Sequence, residues 1–295
     1  MEGGKAMLLG KTIGQIRRSK GINQAVLAGG IMSRSNLSRF EGGHYYPGYD
    51  KLILLLDKLE MSLEELLFLH EDNAPQLKRT LHLSLTEAGN RYDFDRLRAV
   101  SRECRLMYES TQTEAYYHLY LLGQGVLIQH QQADEIRTLP EIAAYIKPYL
   151  LGVDRWYLYE FKLLNNFLFT LSSGDAVFFG LRGVKEFERY QSFPESRTVQ
   201  QHLLQNLSIL CLKERNYEQS LLFLEQALPL ADKTHLLYDK IITLIYYELA
   251  LLCLKRKNST AEMKVYLNIL RQLEFEDSYE AMLKVCRGHL GKGWK

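Results

Sequence analysis

Apolar residues recur at intervals of three and four along most of the chain, and this spacing constrains the fold more than any other feature. Leu9, Ile13 and Ile16 form one such set near the N-terminus. Proline is scarce, with six among 295 residues, and alternating apolar and polar patterns are nearly absent. Because an amphipathic helix repeats every 3.6 residues and a half-buried strand every two, the sequence predicts an all-α protein.

Composition narrows the class of protein. No apolar run approaches the roughly 18–20 residues that a membrane-spanning helix needs. Residues 1–15 have an acidic second position and no long apolar core, unlike a secretory signal. The four cysteines are far apart and form no CxxC pair. We therefore expect a cytoplasmic protein with no membrane partner, no metal site, no cofactor and no disulfide framework.

The charge is distributed unevenly. Residues 1–49 contain seven basic and two acidic side chains, a net charge of +5. The whole chain carries +2, so the remainder carries about −3. A basic end on a near-neutral body favours a polyanionic partner at that end alone.

Residues 24–41, QAVLAGGIMSRSNLSRFE, have the pattern of two short helices joined by a tight turn. Asn23 and Ser33 are good N-caps for these helices, and Gly29-Gly30 supplies the turn. The second helix is rich in polar and basic side chains. This is how a helix-turn-helix appears when its second helix enters the major groove of DNA.

Seven residues are candidate DNA contacts. Helix geometry directs Arg34 and Ser35 toward base edges, with Arg39 about one turn further on the same side; arginine can bind guanine through two hydrogen bonds. Asn36 could contact an adenine or a phosphate. Phosphate contacts that set the register are expected from three further residues, Arg17, Arg18 and Gln24. The simpler interpretation, that the arginines only form a solvated face, is disfavoured by the surrounding motif.

Two stretches carry a resemblance to a known family. They are LGKTIGQIRRSKGINQAVLAGGIMSRSNLSRFEGG and DKLILLLDKLEMSLEELL. Together they resemble the Cro/phage-repressor (XRE) helix-turn-helix, and more closely the Rgg/GadR/MutR regulators. Gln24, the Leu37-Ser38 pair and the Phe40-Glu41 pair stand where that pattern places them. The resemblance implies a five-helix DNA-binding domain over residues 1–70.

The rest of the chain contains an internal repeat. Polar residues 71–76, EDNAPQ, are the expected linker, followed by a second domain over residues 77–295. Residues 206–228 align with residues 248–270 at an offset of 42, and a weaker copy begins at Asn165. The first copy resembles a degenerate tetratricopeptide repeat, although Arg215 stands where that pattern has glycine. Since such helix pairs cannot bury their apolar faces alone, they must stack, which leaves a concave face.

The combination of helix-turn-helix and tetratricopeptide-like array resembles the architecture of Rgg-type and other peptide-sensing regulators. The resemblance implies a homodimer that binds operator DNA and a short apolar signalling peptide in the concave face. An asparagine amide offers donors and an acceptor that match a peptide backbone. The candidate peptide contacts are Asn165, Asn166, Gln205, Asn206, Tyr246 and Tyr247. Alternatively, the asparagines satisfy helix ends or each other.

No catalytic pattern competes with this interpretation. GxSxG, Walker-type, HExxH and paired-carboxylate motifs are missing from the sequence, and the histidines lack metal-ligand spacing. We therefore expect a transcriptional regulator rather than an enzyme. Two alternatives remain open: a ligand-independent regulator whose repeats only dimerise, and a protein-interaction scaffold.

Overall fold

The computed structural model describes residues 9–70, 77–133, 138–190, 192–234, 236–291 and 294. In these ranges the regular secondary structure is helical throughout, which confirms the all-α prediction. The chain forms two compact units, Met1–Leu83 and Ser84–Lys295. The expected linker, residues 71–76, lies outside the described residues. The division between the units falls later, inside the helix Leu77–Asn90.

The N-terminal unit contains the five predicted helices, α1 (Leu9–Ser19), α2 (Gln24–Ala28), α3 (Arg34–Glu41), α4 (Tyr49–Lys58) and α5 (Leu63–His70). Both predicted caps are present. The Asn23 side chain accepts a hydrogen bond from the Val26 amide at 2.9 Å. The Ser33 hydroxyl accepts one from the Asn36 amide at 3.1 Å. These bonds satisfy amides that have no partner within the helix.

A small apolar core holds α1, α3 and α4 together. Ile13, Leu37 and Leu55 are fully buried, and Phe40 is nearly so. Helix α1 approaches α3 closely at Gly10, where a Cβ atom would lie 1.8 Å from the Phe40 carbonyl oxygen. Only glycine permits this crossing, so one position in α1 determines how closely the third helix packs.

Eleven further helices follow among the described residues. They are α6 (Leu77–Asn90), α7 (Phe94–Thr111), α8 (Glu114–Gln129), α9 (Leu139–Gly152), α10 (Leu158–Phe167), α11 (Ser173–Phe187), α12 (Pro194–Lys213), α13 (Tyr217–Thr234), α14 (Leu237–Cys253), α15 (Ala261–Gln272) and α16 (Glu276–Leu290). Two 3-10 turns, Leu168–Thr170 and Glu188–Tyr190, follow α10 and α11. None of these described helices, nor any in the first unit, is long and apolar enough to cross a membrane.

The predicted repeat corresponds to stacked helical hairpins. Helix α12 packs on α13, α13 on α14 and α14 on α15, while α12 also contacts α14. The Gln201 amide donates to the Thr243 hydroxyl at 2.9 Å, which joins two positions 42 residues apart. Stacked repeats bring equivalent positions of successive first helices together. The offset in the sequence is therefore realised as a contact between α12 and α14.

Several hairpins reverse direction through a left-handed residue that is not glycine. After α12, Arg215 has φ +60°, and after α14 Lys255 has φ +55°. The next amide in each turn bonds back to the helix, Asn216 to the Cys211 carbonyl and Arg256 to the Leu251 carbonyl. This is the helix-terminating pattern in which glycine is usual. Arg215 stands where the tetratricopeptide pattern has glycine, and it adopts the left-handed backbone conformation that glycine favours.

Candidate functional site

Helix α3 presents the predicted recognition residues on an exposed face. Arg34, Ser35 and Arg39 are exposed, whereas Asn36 is half-buried. On the opposite face Leu37 and Phe40 are buried in the core. Since Ser33 caps the helix, Arg34 and Ser35 occupy its first turn, and Arg39 lies four residues beyond Ser35. The exposed side is therefore polar, basic and free of large apolar side chains.

Arg17 and Gln24 meet at Glu41, the last residue of α3. The Arg17 guanidinium donates to the Glu41 carboxylate from Nε at 2.6 Å and from Nη2 at 2.9 Å. Its Nη1 donates to the Ile22 carbonyl at 2.7 Å. The Gln24 amide donates to the same carboxylate at 2.9 Å. Arg17 was expected on the surface facing phosphate, but its guanidinium is used inside the domain, because α1 crosses α3 beside Glu41.

This cluster has a distinct electrostatic character. Burial by itself would raise the pKa of the Glu41 carboxyl, but the hydrogen bonds from Arg17 and Gln24 and the charges of Arg17 and Arg18 outweigh it, so the pKa is lowered. The hydrogen bonding of the Arg17 guanidinium to the Glu41 carboxylate is the main cause of the raised pKa of Arg17. Glu41 is therefore ionised at neutral pH. The next residue, Arg18, is exposed on the surface of α1.

A surface depression connects several predicted DNA contacts. It has a volume of about 400 Å³ and is lined by Arg17, Asn23, Gln24, Ala25 and Arg34. The depression lies where the first turn of α2 meets the first turn of α3. Amides at helix N-termini and arginine side chains both favour anionic ligands. The arrangement thus brings Gln24 and Arg34 to one basic surface next to the exposed face of α3.

In the C-terminal unit, α10, the turn after it and α12 form a trough with both polar and apolar lining residues. We define the trough by Asn165, Phe169, Asn206, Leu210 and Lys213, which line a depression of about 230 Å³. The Asn206 amide donates to the Asn165 side-chain oxygen at 3.0 Å. The two side chains thus bridge α10 and α12. This pairing uses one hydrogen of the Asn206 amide and the side-chain oxygen of Asn165; the NH2 group of Asn165 and the side-chain oxygen of Asn206 take no part in it.

The other predicted peptide contacts lie elsewhere. Gln205 and Tyr246 are 7% and 4% exposed, so both are packed inside the repeats rather than facing the trough. Tyr247 packs on the core of α14, and Asn166 lines a neighbouring pocket. Successive helical residues are about 100° apart, which explains why the neighbour of an exposed asparagine is buried. The peptide-binding proposal below therefore leaves out Gln205 and Tyr246.

Several residues of these sites were missed from the sequence, among them Phe169, Leu210, Lys213 and Glu41. Phe169 lies four residues after Asn165, and Lys213 lies seven after Asn206, so each shares a helical face with its asparagine. That spacing was a usable signal. Glu41 carried no such signal, because its partners come from α1 and α2 and meet it only through the tertiary fold.

Comparison with known proteins identifies the family to which the C-terminal part of the chain is similar. The model of one protein family, described as the C-terminal domain of the HTH-type transcriptional regulator Rgg, matches residues 103–284. This is more than half of the chain, and it covers the helices that form the trough.

Solved structures share the fold over nearly the full length. A candidate transcriptional regulator from Listeria monocytogenes EGD-e is 19% identical with a TM-score of 0.81, covering 96% of this chain and 98% of its own. The SHP pheromone receptor Rgg2 of Streptococcus dysgalactiae is 20% identical with a TM-score of 0.72, covering 95% and 99%. PlcR of Bacillus thuringiensis, solved with the peptide PapR7 and DNA, is 17% identical with a TM-score of 0.64, covering 94% and 99%.

Proposed function

This chain belongs to the Rgg family of helix-turn-helix transcriptional regulators, and from that premise we propose that it binds operator DNA as a homodimer under the control of a short signalling peptide. Its relatives of similar fold include a pheromone receptor and a regulator solved with both peptide and DNA. A cytoplasmic location follows from a DNA partner. The proposal has two parts, each carried by one observation.

The exposed face of α3 carries the DNA-binding part. Arg34, Ser35 and Arg39 reach solvent together while Leu37 and Phe40 of the same helix are buried in the core. Arg34 and Arg39 are the proposed base contacts, and Ser35 and Asn36 supply further hydrogen bonds. Arg18 and Gln24 are proposed phosphate contacts, with Arg17 supporting Gln24 through Glu41. One such helix makes few base contacts, so two copies are needed, with half-sites about 34 Å apart.

Selection of duplexes from a randomised DNA library tests this part. We expect the wild-type protein to enrich a two-fold symmetric sequence. Arg34→Ala and Arg39→Ala should each weaken binding to that sequence by about 10- to 100-fold, since a good bidentate contact is worth roughly 1–3 kcal/mol. Lys264→Ala removes an exposed positive charge on α15 and is the control. Unchanged affinity in both arginine variants would contradict the DNA-binding proposal.

The Asn165–Asn206 pair carries the peptide-binding part. Its amide groups bridge two helices at the exposed trough. An extended peptide presents one donor and one acceptor per residue, and the remaining amide groups of the pair are complementary to them. The apolar side chains of Phe169 and Leu210 flank the pair, and Lys213 adds a positive charge. We propose that this trough binds the backbone of an apolar peptide.

Affinity selection from a randomised heptapeptide library tests the peptide part on the full-length protein. We expect the wild type to retain a related set of apolar peptides. Asn206→Ala should bind these peptides at least about tenfold more weakly, because backbone groups of the bound peptide would be buried without hydrogen-bond partners. Asn268→Ala, an exposed helical asparagine on α15, is the matched control. If the wild type retains no peptide, the Asn165–Asn206 bond is only structural and the ligand-independent regulator is favoured.

A further inference from the structure

A second pocket adjoins the trough and shares Phe169 with it. We call it the aromatic pocket; it has a volume of about 400 Å³ and lies among α6, α7, α8 and the turn after α10. Asn166 lines it directly beside Asn165 of the trough. The trough and the aromatic pocket are therefore neighbouring depressions that share the Phe169 side chain.

The floor of the aromatic pocket is apolar. Leu85 and Leu97 are 3% and 1% exposed, and the half-buried side chains of Leu122, Val126 and Phe169 complete the walls. Burial of apolar ligand surface is favourable here at roughly 25 cal/mol per Å². A pocket of this kind is suited to a large apolar side chain, for which the smaller trough offers less room.

The rim of the pocket is aromatic and polar. The His130 ring lies 5.4 Å from the Tyr92 ring at an interplanar angle of 82° and 5.5 Å from the Phe94 ring. Asn90 and Gln129 provide amide groups at the same edge. Aromatic rings favour edge-to-face and offset contacts with one another. An aromatic ring of a ligand that lies beside Tyr92 and His130 would add a further contact of this kind. The side-chain amides of Asn90 and Gln129 can form hydrogen bonds with an indole N–H or a phenol hydroxyl.

A glycine inside a helix keeps the pocket open. Gly89 lies in α6, where glycine costs roughly 0.5–1 kcal/mol relative to alanine. A Cβ atom at this position would meet only the Val126 Cγ1 atom, at 3.8 Å. Steric crowding therefore does not require glycine, and φ there is not left-handed. A larger side chain would extend along the Val126 wall into the pocket.

From the joined trough, the apolar floor and the aromatic rim, we infer that the aromatic pocket binds one aromatic side chain of the peptide held at Asn165 and Asn206. This inference rests on the proposed peptide-binding function and adds a specificity rule to it. The backbone contacts in the trough are independent of peptide sequence, whereas the pocket selects a phenylalanine, tyrosine or tryptophan at one position.

The randomised heptapeptide selection, repeated on full-length variants, tests the inference. We expect the wild type to enrich aromatic residues at a single position. Gly89→Leu should reduce that enrichment by at least about tenfold, because its side chain fills the pocket. Gly174→Leu, a helical glycine of α11 with no atom near its would-be Cβ, should behave as the wild type. Val126→Phe fills the pocket from helix α8 and should also reduce the aromatic enrichment, which keeps the inference testable if Gly89→Leu folds poorly.

The outcomes separate the inference from the function it rests on. Two results would overturn the aromatic-pocket inference alone. The wild type could retain peptides that show no aromatic preference, or the aromatic preference could survive in both pocket-filling variants. A wild-type protein that retains no peptide would overturn both proposals. A specific loss of aromatic enrichment in Gly89→Leu and Val126→Phe, with apolar peptides still bound, would establish the pocket as the selective subsite.

Discussion

Arg17 donates two hydrogen bonds to Glu41, at 2.6 and 2.9 Å, and both side chains are less than 10% exposed. The pair connects the first helix of the DNA-binding unit to the end of its third. Gln24 of the second helix joins the same carboxylate. Helices α1, α2 and α3 thus meet at the buried Glu41 carboxylate.

Breaking this pair on one side should be costly. Arg17→Met leaves a buried carboxylate without its partner, and Glu41→Leu leaves a buried guanidinium; each should lower the free energy of unfolding by about 3 kcal/mol. The double variant should lose clearly less unfolding free energy than the sum of the two single-variant losses, since neither buried charge remains. Urea unfolding of the three variants at neutral pH measures this. Additive losses would show that the pair does not act as a unit.

Acidification should weaken the C-terminal unit through His118. Burial lowers the pKa of this histidine to about 4, with a smaller opposing effect from Glu114, while the Tyr159 hydroxyl lies 2.7 Å from its Nδ1 atom. The unfolded chain takes up a proton below about pH 6.5 and the folded chain only near pH 4. Stability is therefore retained above pH 6.5 and lost as the pH falls toward 4.

The slope in this window should approach about 1.4 kcal/mol per pH unit, the value for one proton. Unfolding by urea at pH 7.5, 6 and 5 measures it, and His118→Gln should remove the slope that His118 contributes. An identical pH dependence in the variant would show that other groups are responsible.

Gly10→Ala should disturb the DNA-binding unit. The added Cβ would lie 1.8 Å from the Phe40 carbonyl oxygen, so α1 and α3 must separate. We expect a loss of about 2–3 kcal/mol, typical of overpacking, together with weaker DNA binding. Gly174→Ala is the control: nothing lies within 4 Å of its would-be Cβ, so alanine should be neutral or stabilise α11 by up to about 1 kcal/mol. Thermal unfolding compares the two.

Arg215→Gly should stabilise the repeat domain. Arg215 holds φ +60° in the turn after α12, a conformation that costs an L-residue about 1–2 kcal/mol. After the greater chain entropy of glycine is subtracted, a gain of up to about 1 kcal/mol remains. Glu214→Gly, at the preceding residue with φ −90°, should instead destabilise. A rise in the unfolding midpoint for both variants would contradict the conformational argument.

The helices and their caps could be predicted from the sequence because their causes are local. Asn23 and Ser33 accept hydrogen bonds from amides three residues later, and the apolar spacing of α1 recurs within a few residues. The repeat at an offset of 42 likewise predicted the contact between α12 and α14 that Gln201 and Thr243 make. These features depend on helical periodicity, which can be measured directly in the sequence.

What only the tertiary structure decided is which polar side chains remain available to a ligand. Arg17 and Arg18 are adjacent and chemically identical, yet the crossing of α1 over α3 buries the first against Glu41 and leaves the second in solvent. Asn206 faces the trough while Gln205 faces the core, and Asn165 rather than Asn166 is its partner. Adjacent residues of a helix differ by a rotation of about 100° around its axis, so one can face the core while the next faces the ligand surface. Packing between helices distant in sequence sets which face of each helix points to the core, and no local pattern records that packing.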